Sequence, residues 1–154
     1  MKLDYKNSTS DVLPEGTYET VIRDACFDST LAGEQCIKIE FKVRSDVDQK
    51  YQNSIIWHRL YKAKNPSPQD MACDGYRAVQ INALSRAAAF ADGAEFESMA
   101  DWMQHLTGRM VKLEARHEPY NGKIYVRVGK MMQSEYPDIQ FADAALLNEE
   151  ELPF

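Results

Sequence analysis

The chain has 154 residues, 44% of them hydrophobic, and a formal net charge of -6, which suits one domain of ordinary size with a buried core. Its three cysteines include no closely spaced pair, no apolar run approaches the length of a membrane span, and the opening residues lack the apolar core of a signal peptide. These features argue against a membrane protein and predict a cytoplasmic protein with reduced, mostly buried thiols.

Three strands are predicted in the first part of the chain. The first spans residues 17–27 after a Glu15-Gly16 turn, the second covers 37–44, and the third covers 55–62. The second strand has the clearest alternation, because apolar and charged residues follow each other with a period of two. One of its faces is therefore predicted to join the core, and the other, with Lys38, Glu40, Lys42 and Arg44, to face outward.

A helical middle and two more strands follow. Residues 69–91 carry apolar side chains at helical spacing, and a shorter helix is predicted over 98–106, before Gly108. Strands at 109–117 and 123–132 flank an Asn121-Gly122 pair, which is the usual turn of a tight hairpin. No strand is predicted beyond Met132.

This order of elements predicts a mainly β fold with a helical insertion. Three strands, a helical segment and two further strands (β-β-β-α-β-β) are typical of the OB-fold, a small five-stranded barrel that often binds oligonucleotides. We expect an OB-like domain over residues 1–132, followed by an acidic and largely disordered tail over residues 133–154.

Charge is distributed unevenly along the chain. From residue 133 onward there are six acidic residues and no Lys or Arg, so the tail accounts for the whole net charge. Residues 1–34, which include the first strand, have three basic and seven acidic residues. The segments with the other four strands are basic, with seven basic and three acidic residues in 35–64 and six basic and two acidic in 109–130. The predicted helical segment, 65–108, has two basic and six acidic residues. The sheet is therefore predicted to carry the positive charge of the domain.

Outward residues of these strands combine cations with aromatic rings. Such a surface suits non-specific binding of single strands, because cations follow the phosphates while rings stack on any base. Each residue taken singly also has a structural interpretation as solvated surface, and the ring at position 57 could belong to the core. The predicted DNA-binding set is Lys38, Lys42, Arg44, Trp57, Arg59, Tyr61, Lys62, Lys112, Arg116, Tyr125, Arg127 and Lys130.

The last residues are predicted to dock on a partner protein. An aromatic ring beside a free carboxylate can be held by an apolar pocket and a basic side chain. The alternative is an acidic tail that serves only solubility. The predicted partner-binding residues are Glu149, Glu150, Glu151, Leu152, Pro153 and Phe154.

Two resemblances to known families rest on particular segments. Residues 149–154 are similar to the tail tip of bacterial single-stranded DNA-binding proteins, where acidic residues precede a terminal Pro-Phe. The body, through Leu13-Pro14-Glu15-Gly16-Thr17-Tyr18, Trp57 and Thr107-Gly108-Arg109, resembles a family of small phage proteins, long of unknown function, from replication and recombination cassettes. These resemblances imply a single-strand binder in the host cytoplasm, with a tail that recruits replication or repair enzymes.

No catalytic or cofactor motif is found. The sequence has no Gly-rich phosphate loop, no nucleophile in a recognisable turn and no zinc-ligand spacing, so we expect neither an enzyme nor a metal or cofactor. Acidic pairs at Asp46 and Asp48, or Glu95 and Glu97, leave a divalent-metal nuclease as a minor alternative.

The sequence thus predicts a phage-type protein that binds single-stranded DNA without sequence preference during replication or recombination. The acidic tail is expected to recruit partner enzymes and to compete with DNA for the basic surface. The main alternative is a protein-interaction module, a recombination accessory factor or virion component, without direct DNA binding. Assembly into a homo-oligomer is left open.

Overall fold

A computed structural model describes residue 1 and residues 12–139 of the chain. In this part five strands are present: β1 (Gly16–Ser29), β2 (Gln35–Val43), β3 (Ile55–Tyr61), β4 (Met110–Tyr120) and β5 (Lys123–Gln133). Three helices lie between β3 and β4: α1 (Pro68–Met71), α2 (Ala78–Ala87) and α3 (Met99–Leu106). The prediction of a mainly β domain with a helical insertion is confirmed. The tail residues 149–154, proposed above to bind a partner, lie outside the described residues.

The five strands form one antiparallel sheet in the order β3-β2-β1-β4-β5. β1 is central and pairs with β2 on one side and with β4 on the other. β3 and β5 are the two edges, and in residues 12–139 no hydrogen-bonded ladder joins them. The sheet is therefore not closed into the expected OB-like barrel, because closure requires a paired partner for both edge strands. The sheet is open.

The alternating strand pattern explains where the core lies. Ile37, Ile39 and Phe41 of β2 are fully buried, as the period-two pattern predicts. They pack with Leu113 of β4 and with the helices in one hydrophobic cluster. Full burial of one such side chain stabilises a fold by about 1.5–3 kcal/mol relative to exposure. We call this side of the sheet the core face and the opposite side the outer face.

The helical insertion differs from its prediction. The single helix expected over residues 69–91 is divided into α1 and α2 by a turn at Asp74 and Gly75, whose φ angles are 58° and 89°. This left-handed backbone is easy for glycine and tolerated by aspartate, and it stops a right-handed helix. α1 also starts at a proline after a capping box in which Ser67 and Asp70 cap each other's backbone. The predicted second helix is confirmed as α3, which begins after Ser98.

The chain does not leave the body at the end of β5. Ser134 accepts a hydrogen bond from Arg44 at 3.2 Å, and the carbonyl of Asp138 accepts another at 3.1 Å. The backbone N–H of Glu135 donates to the carboxylate of Glu19 at 3.2 Å. Residues 134–138, which the sequence assigns to a largely disordered tail, therefore contact the folded body. We call these residues the strap.

Candidate nucleic-acid interface

The edge strand β3 presents a row of exposed side chains on the outer face. Trp57 is 54% exposed and Tyr61 is 36% exposed, with the exposed Arg59 between them. The three stand opposite Glu40, Lys38 and Cys36 of β2 in the antiparallel register. Trp57 is thus a surface ring and not part of the core. We call Trp57, Arg59 and Tyr61 the β3 row.

A carboxylate on β2 fixes the ring of Trp57. The indole Nε1 donates to Glu40 at 3.3 Å, and the same carboxylate forms an ion pair with Arg23 at 2.7 Å. Burial works to raise the pKa of Glu40, but the hydrogen bond and charge of Arg23 and the hydrogen bond from Trp57 hold it below its ordinary value. Glu40 therefore stays ionised, and the indole is held by its edge with ring surface left to solvent.

The β4–β5 hairpin carries a second exposed group. Tyr120 is 62% exposed and Tyr125 is 38% exposed, and their ring centroids are 6.4 Å apart. The guanidinium of Arg127 lies 5.4 Å from the ring of Tyr125 and donates to Glu118 at 2.9 Å. Arg116, the register partner of Arg127, is also exposed. We call Arg116, Tyr120, Tyr125 and Arg127 the hairpin group.

The predicted site missed Tyr120. The predicted strand over 109–117 ends before Tyr120, whereas β4 continues through Tyr120 and the turn consists of Asn121 and Gly122 alone, with φ angles of 52° and 76°. Those angles are the ones that a tight two-residue hairpin needs. Because Tyr120 has the same parity as Arg116 and Glu118, extending the strand by three residues would have placed it on the outer face.

Two predicted cations do not face solvent. Lys42 is 1% exposed and Arg44 is 0% exposed, so the expectation that they lie on the surface is wrong. Arg44 pairs with the equally buried Asp46 at 2.6 Å and holds the strap. The alternating pattern placed both residues on the side opposite the core correctly, but the strap and the turn after β2 bury Arg44 there. Arg44 is therefore a structural residue.

The remaining predicted cations differ in their exposure and in their distance from a carboxylate. Lys38 and Lys112 are half-buried, and each is near a carboxylate: Glu40 at 3.9 Å and Glu135 at 3.1 Å. Arg59 lies 3.7 Å from Asp28, and Arg116 is paired with Glu114. Exposed pairs of this kind contribute little to stability and exchange readily with other anions. Ten of the twelve predicted residues are thus exposed or half-buried: Lys38, Trp57, Arg59, Tyr61, Lys62, Lys112, Arg116, Tyr125, Arg127 and Lys130.

The two edge strands lie close to each other across the open side of the sheet. β3 contacts β5, and the charge of Arg127 acts on His58. Burial lowers the pKa of His58, and the Arg127 charge lowers it further, so this ring is neutral near neutral pH. His58 shares the parity of Ile56 and Leu60, which is the parity of the core face. The β3 row and the hairpin group therefore border the same gap.

Other kinds of site find little support in the described residues. Within residues 12–139 no group of three or more His, Cys, Asp or Glu side chains is placed to hold a metal ion. Asp46, one of the predicted acidic pair, is occupied by Arg44. No helix in this part of the chain has the length and apolar character that crossing a membrane requires.

Fold and surface together define the class of the protein. It is a mainly β protein whose open antiparallel sheet presents cations and aromatic rings on the face opposite its core. The chain belongs to a family described as a protein of unknown function, DUF669, whose model matches residues 2–145. No curated protein matches the chain. Family membership agrees with the expected family of unknown function, whereas the phage origin and the binding of single strands stay predictions.

Proposed function

We propose that this protein binds single-stranded DNA without sequence preference, as part of phage replication or recombination. The observation that carries the proposal is the interleaving of exposed rings and cations along both borders of one gap. Trp57 and Tyr61 alternate with Arg59 on one border, while Tyr120 and Tyr125 lie beside Arg127 on the other. Rings stack on bases and cations follow phosphates, so neither contact depends on the base sequence.

An OB-fold is the finer description of the domain that we propose. The OB-fold is five-stranded and partly open, and it binds oligonucleotides on its sheet and on the loops beside it. The element order matches it, and the strand order β3-β2-β1-β4-β5 is that of such a barrel opened between β3 and β5. Contact between these two edge strands supports this description. The binding surface would then be the gap bordered by the β3 row and the hairpin group.

The acidic residues after β5 fit a role in regulation and recruitment. Glu135 already reaches Lys112 on the outer face, at 3.1 Å. We propose that the acidic residues further along the chain compete with DNA phosphates for the exposed cations, and that residues 149–154 recruit partner enzymes. A strand that occupies the surface would then release these residues for a partner.

A protein-interaction module is the second candidate function. The observation that favours it is the pairing of several surface cations with carboxylates, such as Arg59 with Asp28 and Arg127 with Glu118. These pairs reduce the positive potential of the surface, and exposed rings are also common in protein interfaces. A protein partner would bind with a weak dependence on salt, whereas DNA binding weakens steeply as salt rises.

Fluorescence anisotropy of a labelled single strand of mixed sequence tests the proposal. The protein is titrated at low and at moderate salt, with a duplex and a single-stranded RNA of the same sequence as comparisons. Salt-sensitive binding that prefers the single strand supports the function. No binding even at low salt, or equal binding of the duplex, contradicts it and favours the interaction module.

A further inference from the structure

A pocket at one end of the β3 row has no place in the surface described so far. It has a volume of about 550 Å³ and lies where the ends of β1, β2 and β3 meet the turn before α2. Its lining includes the aromatic rings of Phe27 and Tyr76 and the cation of Lys62. It also includes the polar side chains of Asp28, Gln35 and Asp74. We call it the end pocket. A nucleobase is much smaller than this volume, so one base with part of its sugar has room to enter.

The aromatic parts of the end pocket differ in what they can do. Tyr76 is 2% exposed and forms the floor, with the ammonium of Lys62 at 5.5 Å from its ring centroid. Burial, together with Cys36 and Asp74, raises the pKa of Tyr76, so its hydroxyl remains protonated. Phe27 is 54% exposed, although it pairs with the buried Ile37. An exposed ring at the mouth of a pocket with an aromatic floor is suited to stacking on a planar ligand.

The polar groups of the end pocket are richer in acceptors than in donors. Asp28 and Asp74 are carboxylates that only accept hydrogen bonds when ionised, whereas Gln35 can accept or donate. An exocyclic amino group, as on cytosine or adenine, donates to a carboxylate. Thymine has a carbonyl at the position where cytosine has its amino group, and that oxygen would face the same carboxylate without a proton between them.

The end pocket continues the β3 row. Tyr61 is the register partner of Cys36, which lines the pocket, and the next residue, Lys62, forms its wall. Arg59 reaches Asp28 on the rim at 3.7 Å. Lys62 has the opposite parity to Tyr61, so a strand stacked along Trp57 and Tyr61 would reach the pocket by passing the end of β3, with Arg59 on its phosphates before that point and Lys62 inside the pocket.

We propose that the end pocket takes one base of a bound single strand and favours a base with an exocyclic amino group over thymine. The proposal rests on the proposed function, since it assigns one subsite of the same surface. Binding as a whole would stay tolerant of sequence, because the other contacts are stacking and phosphate contacts.

Exchange of Asp74 for asparagine tests the base preference. Asp74→Asn keeps a residue that tolerates the local φ of 58° and adds an amide that can donate to thymine. Affinities for oligo-dC and oligo-dT of equal length are measured for the wild type and for Asp74→Asn. Loss of a negative charge raises both affinities, but the ratio of the two is expected to shift toward oligo-dT by roughly threefold or more. Asp92→Asn, an equal charge change on the exposed helical side, is expected to leave the ratio unchanged.

Exchange of Phe27 tests the stacking contact. Phe27→Ala is expected to weaken the binding of both oligonucleotides about tenfold, within the range for loss of one stacked base. Leu31→Ala changes a fully exposed apolar side chain in the neighbouring turn, and as the control it is expected to have no effect. Photocrosslinking with an iodinated pyrimidine in the strand should label the peptide that contains Phe27.

The two proposals fail in different ways. If the wild type binds neither oligonucleotide, the proposed function is wrong and the subsite is wrong with it. If the wild type binds both, but Phe27→Ala behaves like Leu31→Ala and the ratio is unchanged by Asp74→Asn, the end pocket is not a base subsite and the proposed function is unaffected. Crosslinks found only on the β3 row and the hairpin group would likewise overturn the subsite.

Discussion

Trp57 is the side chain of the β3 row from which the largest effect on binding is expected. Its ring is 54% exposed and is held by Glu40, so it is available for stacking without rearrangement. Trp57→Ala should weaken single-strand binding about tenfold, since one base–aromatic stack contributes roughly 1–3 kcal/mol. Trp57→Phe should recover most of the affinity, because a phenyl ring still stacks. Anisotropy titration of the three proteins with one labelled oligonucleotide measures both effects.

A measurement of stability distinguishes a loss of base stacking in Trp57→Ala from a loss of folded structure. Because the indole is largely outside the core, urea unfolding should give nearly the same free energy for wild type and Trp57→Ala. Met71→Ala, an exchange of a similarly exposed apolar side chain on α1, should change neither binding nor stability. Equal affinities of wild type and Trp57→Ala would show that the β3 row does not stack on bases.

Arg44 is expected to act on stability and not through contact with DNA. Its guanidinium is fully buried between Asp46 and the strap, so removing it leaves a buried carboxylate without its cation. Arg44→Ala should lower the free energy of unfolding by about 3–5 kcal/mol, as for other buried pairs that lose one partner. Urea unfolding measures this change, and Arg44→Lys, which keeps the charge, should have a smaller effect.

Arg116→Ala is the matched control for the loss of an arginine. Arg116 is exposed and its pair with Glu114 lies at the surface, so its removal should change stability by about 1 kcal/mol or less. If the two alanine variants were equally stable, the buried pair would not anchor the strap as described.

At the scale of elements, local pattern predicted the strands well and the helices less well. The alternating pattern correctly predicted both β2 and its buried face, because a half-buried strand leaves a period of two in the sequence. Apolar spacing alone extended one helix across Asp74 and Gly75, where a left-handed turn ends it. The aspartate–glycine pair was the signal for this break. Whether the sheet is open or closed depends on contacts between β3 and β5. These strands are distant in sequence, so the local sequence pattern does not predict those contacts.

The exposure of the predicted residues was correct where no segment covers them and wrong where the chain folds back over them. Trp57 and Tyr125 are exposed as strand parity indicated for the outer face. Arg44 has the same parity, yet the strap and Asp46 enclose it. Parity states which side of a sheet a residue is on, but it does not state what covers that side. A covering segment ninety residues away in sequence leaves no local signal.

The environment of His58, between β3 and Arg127 of β5, predicts how the free energy of unfolding depends on pH. His58 has a pKa below its ordinary value, because of burial and of Arg127, so protonation favours the unfolded chain. Its contribution to stability is fully present above the unfolded pKa of about 6.5 and is lost as pH falls from there through the folded pKa. The free energy of unfolding should therefore fall more steeply in this window for wild type than for His58→Gln. Parallel pH profiles would contradict the assigned environment of His58.

For the whole molecule, the slope of affinity against salt reports how many cations meet phosphates. For single strands the logarithm of the binding constant falls with the logarithm of salt by about 0.7 per phosphate contact. Arg116→Ala and Arg127→Ala should each reduce the slope by about that amount if the hairpin group lies on the DNA backbone. Arg77→Ala, an exposed arginine on the acidic helical insertion, should leave the slope unchanged. Unchanged slopes for all three variants would place the DNA elsewhere.

The separation of charge between sheet and tail also predicts self-competition. Truncation after Ile139 removes four of the six acidic residues found from position 133 onward, yet it keeps the strap and its bonds to Arg44. The truncated protein should unfold like the full chain and bind single strands more tightly at low salt, with the difference disappearing as salt screens the acidic residues. A full-length variant with Asp143, Glu149, Glu150 and Glu151 changed to their amides should behave like the truncated one, because charge and not length is responsible. Equal affinity of all three proteins at low salt would show that the acidic residues do not compete with DNA.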